Sequence, residues 1–283
     1  EDALAGVLLR RIGRVKRVVY YVSDYSPNRY KTRWFNALYL WLDRQAAMRA
    51  DIIWDVSAAM QPARIAAGLD PQESAPVILV HNALYPEQIR HLSVSEVIPY
   101  SLVFLGTLGE ENGPGLAIEA LPFVLARFPS ACLHIVGGPQ SEEERLTIAA
   151  KALGVAKTIV WHGFIADREK VSATIRRFSV GLAPYRAVEG SVRWYADATK
   201  IRAYLAAGLP VVTTHVPPLG REVAAAGAAI LVKDTAPEIA RAVVKILSEK
   251  KRWYSMRKAA IAFAKDNTWE HVYEKAIRVM ENL

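Results

Sequence analysis

The chain has a single cysteine in 283 residues, Cys132, set in the apolar run ACLHIVGG. That excludes an intrachain disulfide, argues against a thiolate-held metal, and points to a reducing, cytoplasmic setting. No apolar run approaches the roughly 20 residues that a membrane-spanning helix requires. The longest, such as residues 203–214, is interrupted by Gly208 and Pro210. No acidic cluster with metal-ligand spacing occurs, so no metal site is expected. No basic stretch leads into an apolar one near Glu1, where the chain opens; a segment upstream is expected to have been removed or left out. Internal repeats and low-complexity tracts are also lacking. No stacked aromatic-basic recognition motif is present, so nucleic acid is not an expected partner.

Positive charge is abundant. The net charge is +8, and residues 1–34 hold eight Lys/Arg against three acids. Such a balance draws anionic lipid or phosphorylated small molecules as readily as nucleic acid. The basic, aromatic stretch RVKRVVYYVSDYSPNRYKTRWF leaves peripheral contact with an anionic membrane open.

Apolar runs of four to seven residues alternate with amphipathic stretches of helical length, which is the pattern of parallel sheets wrapped by helices. The predicted class is α/β. Three strands are expected early (17–23, 51–57, 76–81), with helices at 31–49 and 58–67. After a polar stretch, six more follow in YSLVFLG, ACLHIVGG, TIVWHGF, SVGLAP, LPVVTT and AAILV, and helices at 235–249, 251–264 and 268–281 close the chain. Three strands make a small parallel unit, which reads as the back half of a larger one.

The segment ATKIRAYLAAGLPVVTT poses a specific question. It reads as a helix from about Thr199, stopped by Gly208 and followed by a strand. Lys200 then lies in the first turn, where unpaired amides and the macrodipole already carry positive character. It is either an exposed lysine that tolerates a small penalty, or one arm of an anion site in which helix amides and ammonium face the same phosphate. Arg193, in the loop before it, could add a guanidinium grip or be a surface arginine.

Glycines punctuate the strand ends. FLGTLGEENGPG carries Gly106 and Thr107, LHIVGGP carries Gly137 and Gly138, and WHGF carries Gly163. Each could admit a ligand close to the backbone or simply make a turn. Trp161, Trp194 and Tyr195 could stack on a base or pack in the core. His162 reads as a packed histidine. Asp24 and Ser57 close early strands at their carboxyl edges and read as turn or cap residues that could also face a ligand.

In unbroken order these motifs resemble the GT-B fold retaining glycosyltransferases often called family four, or glycosyl transferases group 1. VVYYVSDY, DRQAAMRADIIWDVSAAM and VILVHNALYPEQI resemble the second half of that family's N-terminal domain. LVFLGTLGEENGPGLAIEAL, LHIVGGP, IVWHGFIADREKV, VGLAPYR, KIRAYLAAGLPVVTT and REVAAAGAAILV resemble its donor-binding domain. The resemblance implies two Rossmann-like, doubly wound parallel sheets, the N-terminal one incomplete. Expected domains are 1–96 on the acceptor side, 97–265 for the nucleotide-sugar, and a helix over 266–283 packing back on the first. It implies transfer of a sugar from a UDP- or GDP-linked donor, as a substrate rather than a cofactor, to an unknown acceptor, without metal. Donor-binding candidates are Gly106, Thr107, Gly137, Gly138, Gly163, Arg193, Tyr195, Lys200 and Glu222. Ser57 and Asn82 would serve the acceptor or hinge.

The sequence also departs from that pattern. Thr107 stands where relatives carry Arg or Ser, and the residues 112–114 (Asn, Gly, Pro) supply no lysine before the helix. Two glutamates common in relatives align with Tyr195 and Ala203. Glu189 and Asp197 lie nearby as substitutes, and Asp24 and Asp197 are the catalytic candidates. The alternative expectation is a degenerate or truncated GT-B protein that binds nucleotide-sugar or a partner without turnover.

Overall fold

The computed structural model describes residues 2–282. Helix α1 (Asp2–Arg11), strand β1 (Val19–Val22), α2 (Arg33–Arg49), β2 (Ile52–Asp55), α3 (Met60–Ala66) and β3 (Val77–Leu79) come first. The three strands pair in parallel in the order β1-β2-β3. Then follow β4 (Ser101–Leu105), α4 (Pro114–Leu125), β5 (Cys132–Val136), α5 (Gln140–Ala152), β6 (Ile159–Gly163), α6 (Arg168–Ile175), β7 (Val180–Ala183), α7 (Thr199–Ala206), β8 (Val211–Thr214), α8 (Pro218–Ala225) and β9 (Ala229–Val232). These six strands form a second parallel sheet in the order β6-β5-β4-β7-β8-β9. Helices α9 (Ala236–Ser248), α10 (Lys250–Asp266) and α11 (Trp269–Glu281) end the described chain.

All nine expected strands form where the apolar runs placed them. Helix α1 was not expected, because residues 1–17 were read for charge alone; its signature is Leu4, Val7 and Leu8 at helical spacing, with Val7 buried.

The chain divides into two compact units. One comprises the chain through Asn82, Glu189–Asp197 and the stretch from Trp269 on; the other comprises Ala83–Val188 and Ala198–Thr268. The division thus falls after Asn82 rather than near residue 96. The reason is local: Leu84 bridges Thr268, Arg257 donates to the carbonyls of Leu92 and Gly208, and Ile98 N donates to Arg177 O, so residues 83–98 are tied into the second unit. Helix α11 belongs to the first unit, where Tyr273 packs 6.0 Å from the Trp54 ring.

Each unit has its own core. Ile53, Val56, Met60 and Tyr25 centre the first, and Phe104, Leu121, Leu133, Val180 and Val243 the second. The first also buries charge. Arg64, only 1% exposed, donates to Asp43 at 3.0 Å and to Asp55 at 2.7 Å, and its guanidinium stacks over Tyr25.

Candidate functional site

The order of the six-stranded sheet locates the site. From β4 the chain winds outward through β5 to β6, then returns to the other side of β4 for β7, β8 and β9. The β4 and β7 neighbours are therefore a topological switch point, where successive crossovers leave in opposite directions and open a crevice at the carboxyl ends of the strands. Gly106 follows β4 and Tyr185 follows β7, so both lie on that edge.

Backbone bonds fuse the strand ends there. Gly106 N donates to Val136 O at 2.9 Å, Leu108 N to Gly138 O at 2.8 Å, and Gly137 N to Gly163 O at 2.9 Å. Gly137 has no substitute, because a Cβ would lie 1.8 Å from Gly106 O. Gly106 itself has φ +124°, a conformation that side chains oppose. Thr107 is exposed, and its Oγ1 accepts from buried Asn112 Nδ2 at 2.7 Å, which braces the loop before α4. Five of the expected donor residues, Gly106, Thr107, Gly137, Gly138 and Gly163, are thus brought together on one edge.

Lys200 joins them from α7. It lies in the first turn, and Gly208 ends the helical turn beyond it with φ +71°. The exposed-lysine reading is corrected: the residue is 8% exposed. Its Nζ sits 4.2 Å from the centre of the Phe104 ring and 4.6 Å from that of Tyr185, and 3.5 Å from where a Gly106 Cβ would be. Aromatic faces attract a desolvated ammonium and offset part of the cost of burying it. The outcome is a positive charge held directly against Gly106, where the loop takes a backbone conformation that only glycine adopts readily.

One turn further along the same helix, Tyr204 holds the strand ends. Its hydroxyl accepts from Leu105 N at 2.7 Å and donates to Leu182 O at 3.1 Å, bridging β4 and β7 just before Gly106. Burial raises the Tyr204 pKa well above the usual phenol value, which keeps it a neutral bridge. Sequence reasoning passed over Tyr204, Phe104 and Tyr185. The available signal was an aromatic hydroxyl one helical turn from Lys200, on the same face of α7.

The other candidates lie elsewhere. Arg193 and Tyr195 belong to the first unit, in and after a short turn whose Ser191 Oγ accepts from Arg193 N at 3.1 Å; the Tyr195 side chain packs on that unit's core. Asp197 Oδ2 accepts from Asn82 N at 3.1 Å. Asp24 is exposed and ion-paired with Arg29 at 2.6 Å, while Ser57 is buried with its Oγ accepting from Ala59 N, the turn role. Glu189 is exposed in the first unit, and Ala203 lies within α7. Glu222 is exposed in α8 beyond its first turn, so it is not a helix N-terminal acid. Trp161 packs against the second core. His162 is packed, with Nε2 3.1 Å from His134 Nδ1.

Comparison with known proteins fits this geometry. The family described as Glycosyl transferases group 1 matches residues 99–249, more than half of the chain. Among solved structures, Anabaena HepE in complex with UDP and glucose shares 18% identity over 99% of this chain and 75% of its own, with a TM-score of 0.76. Sucrose-phosphate synthase from Thermosynechococcus elongatus shares 16% over 99% and 71%, with 0.73. WaaG, a glycosyltransferase involved in lipopolysaccharide biosynthesis, shares 16% over 98% and 81%, with 0.70. No curated protein matches. At these identities the structural likeness speaks to the fold, which is GT-B, and the family match carries the assignment: this chain belongs to the group 1 glycosyl transferases.

Proposed function

We propose that the protein is a retaining hexosyltransferase that takes its sugar from a nucleoside diphosphate donor whose diphosphate is held at the β4–β7 crevice. The observation that carries this reading is the Lys200 ammonium fixed against Gly106. As the glycosidic bond to the diphosphate breaks, negative charge grows on the leaving group, and a preorganised cation with nearby loop amides stabilises it without reorganisation. A buried, ring-caged ammonium loses less freedom on binding an anion than a mobile surface lysine. Gly106, Thr107, Gly137, Gly138 and Gly163 would line the phosphate side, with Glu222 as a further donor contact. The charge is supplied by the protein, so no metal is invoked. HepE structures hold UDP and UDP-glucose, and a trehalose-6-phosphate enzyme from E. coli holds UDP-2-fluoro glucose, which favours a uridine donor. The setting proposed is the cytoplasm; no helix among the described residues is long and apolar enough to cross a membrane.

The test is thermal stabilisation by UDP, GDP, ADP and their sugars. Ligand at 100 times its dissociation constant adds about 2.7 kcal/mol of stability. Lys200→Met keeps the stem and removes the charge, and should weaken the response at least tenfold while leaving the unliganded fold intact by circular dichroism. An equal response in both proteins would remove the assignment. A second reading, binding without turnover, is favoured by Tyr195 and Ala203 at the positions of the paired glutamates. Donor binding with neither transfer nor hydrolysis would establish it.

A further inference from the structure

The two rings over the Lys200 ammonium come from the two strands that flank the switch point. Phe104 is the penultimate residue of β4, pairs in register with Leu182 of β7 and is fully buried; Tyr185 follows β7 and is 4% exposed. The backbone beneath each ring is tied down. Tyr185 N donates to Ala183 O at 3.0 Å, and Tyr185 O accepts from Thr214 Oγ1 at 2.8 Å. Thr213 Oγ1 donates to Ala183 O at 2.9 Å, and both threonines are buried. Gly113, where α4 begins, closes on the residue before Tyr185: a Cβ there would lie 1.8 Å from Pro184 O. Leu105, next to Phe104, and Leu182 are held by Tyr204, one turn beyond Lys200 on the same helix.

A lysine is a point charge on a flexible four-carbon stem, so its value to an anion depends on what holds the nitrogen in place. One ring would let an ammonium slide across its face. Two rings from separate strands, 4.2 and 4.6 Å from Nζ, define a position. Each π face attracts the ammonium through a quadrupole and carries no net charge, so full negative charges on an arriving diphosphate outcompete it.

We propose that Phe104 and Tyr185 are positioning residues for the donor diphosphate, acting through Lys200 by fixing its ammonium at the β4–β7 crevice. The inference rests on the donor site proposed above. Calorimetric titration of UDP, GDP and ADP identifies the tightest binder, which is then carried through a double-mutant cycle. Phe104→Leu and Tyr185→Leu should each weaken its binding about tenfold when Lys200 is present and under about twofold in the Lys200→Met background. Tyr185→Phe keeps the ring and should restore affinity to within about threefold of the parent. Melting curves identify the folded variants, and Phe104→Met and Tyr185→Met replace any leucine variant that fails to fold. Equal losses in both backgrounds, or none in either, would overturn the positioning role while leaving the donor site in place. A parent that binds none of the three nucleotides, or a Lys200→Met variant that binds like the parent, would remove the donor site itself and this inference with it.

Discussion

The hydroxyl of Tyr204 accepts from the amide of Leu105 at 2.7 Å, across 99 residues of sequence. That bond, with its companion to Leu182 O, fixes where β4 ends and where Gly106 begins. Tyr204→Phe should leave a buried N–H and C=O without partners and cost about 1–3 kcal/mol in urea unfolding. Under the proposed function it should also weaken UDP binding more than a surface substitution of equal cost, with Lys200 still present.

Gly137 tests the glycine edge. Gly137→Ala drives a Cβ into Gly106 O, a backbone atom that cannot swing aside. The expected loss is about 1–3 kcal/mol or more, read as a lower denaturation midpoint, together with loss of any nucleotide-induced stabilisation. Gly154→Ala, strained by its positive φ but open to solvent, is the matched control.

Arg64 should prove the costliest charge to remove. Arg64→Met would leave Asp43 and Asp55 buried without their cation, for about 3–5 kcal/mol. Burial already raises the Asp55 pKa against the lowering effect of Arg64. Replacing both aspartates with asparagine in the Met background should restore part of the loss; a loss no smaller than in Arg64→Met alone would show that packing over Tyr25, rather than charge, governs the site.

The His134–His162 pair predicts a pH dependence. His134 stacks on Phe178 at 4.1 Å, and burial, then His162 and Arg177, push its pKa down to about 4 from the model-peptide value of 6.5. Between those values the unfolded chain binds a proton that the folded chain does not, so stability rises with pH across this window. The contribution is fully present above 6.5 and is lost as pH falls toward 4. Melting curves from pH 4.5 to 7.5 should show a slope that His134→Gln flattens.

The strands were legible because buried parallel strands leave compact runs rich in β-branched residues, and each expected run became one. Lys200 was legible for the opposite reason, as a cation where helix physics disfavours it. Its aromatic cage was not, since Phe104 and Tyr185 reach it only once β4 and β7 are neighbours, a pairing no local pattern reports. Arg64 gave no sign either: its burial depends on Asp43 and Asp55 arriving from two other elements. Helix α1 was overlooked because arginines dominated a stretch whose apolar spacing was weak. The segment 189–197 reads as an ordinary loop, and only the contact of Tyr195 with the first core shows which unit it completes.

That segment and α11 have a consequence for biogenesis. The first unit draws on residues from the beginning, the middle and the last helix of the described chain, and the second resumes only after the middle piece has been made. Folding in the order of synthesis, N-terminal unit first, is the usual course for proteins of several domains. Here a ribosome must deliver Tyr273, which packs on Trp54, before the first unit is complete, so stalled translation products ending before Trp269 should be prime substrates for chaperones and proteases.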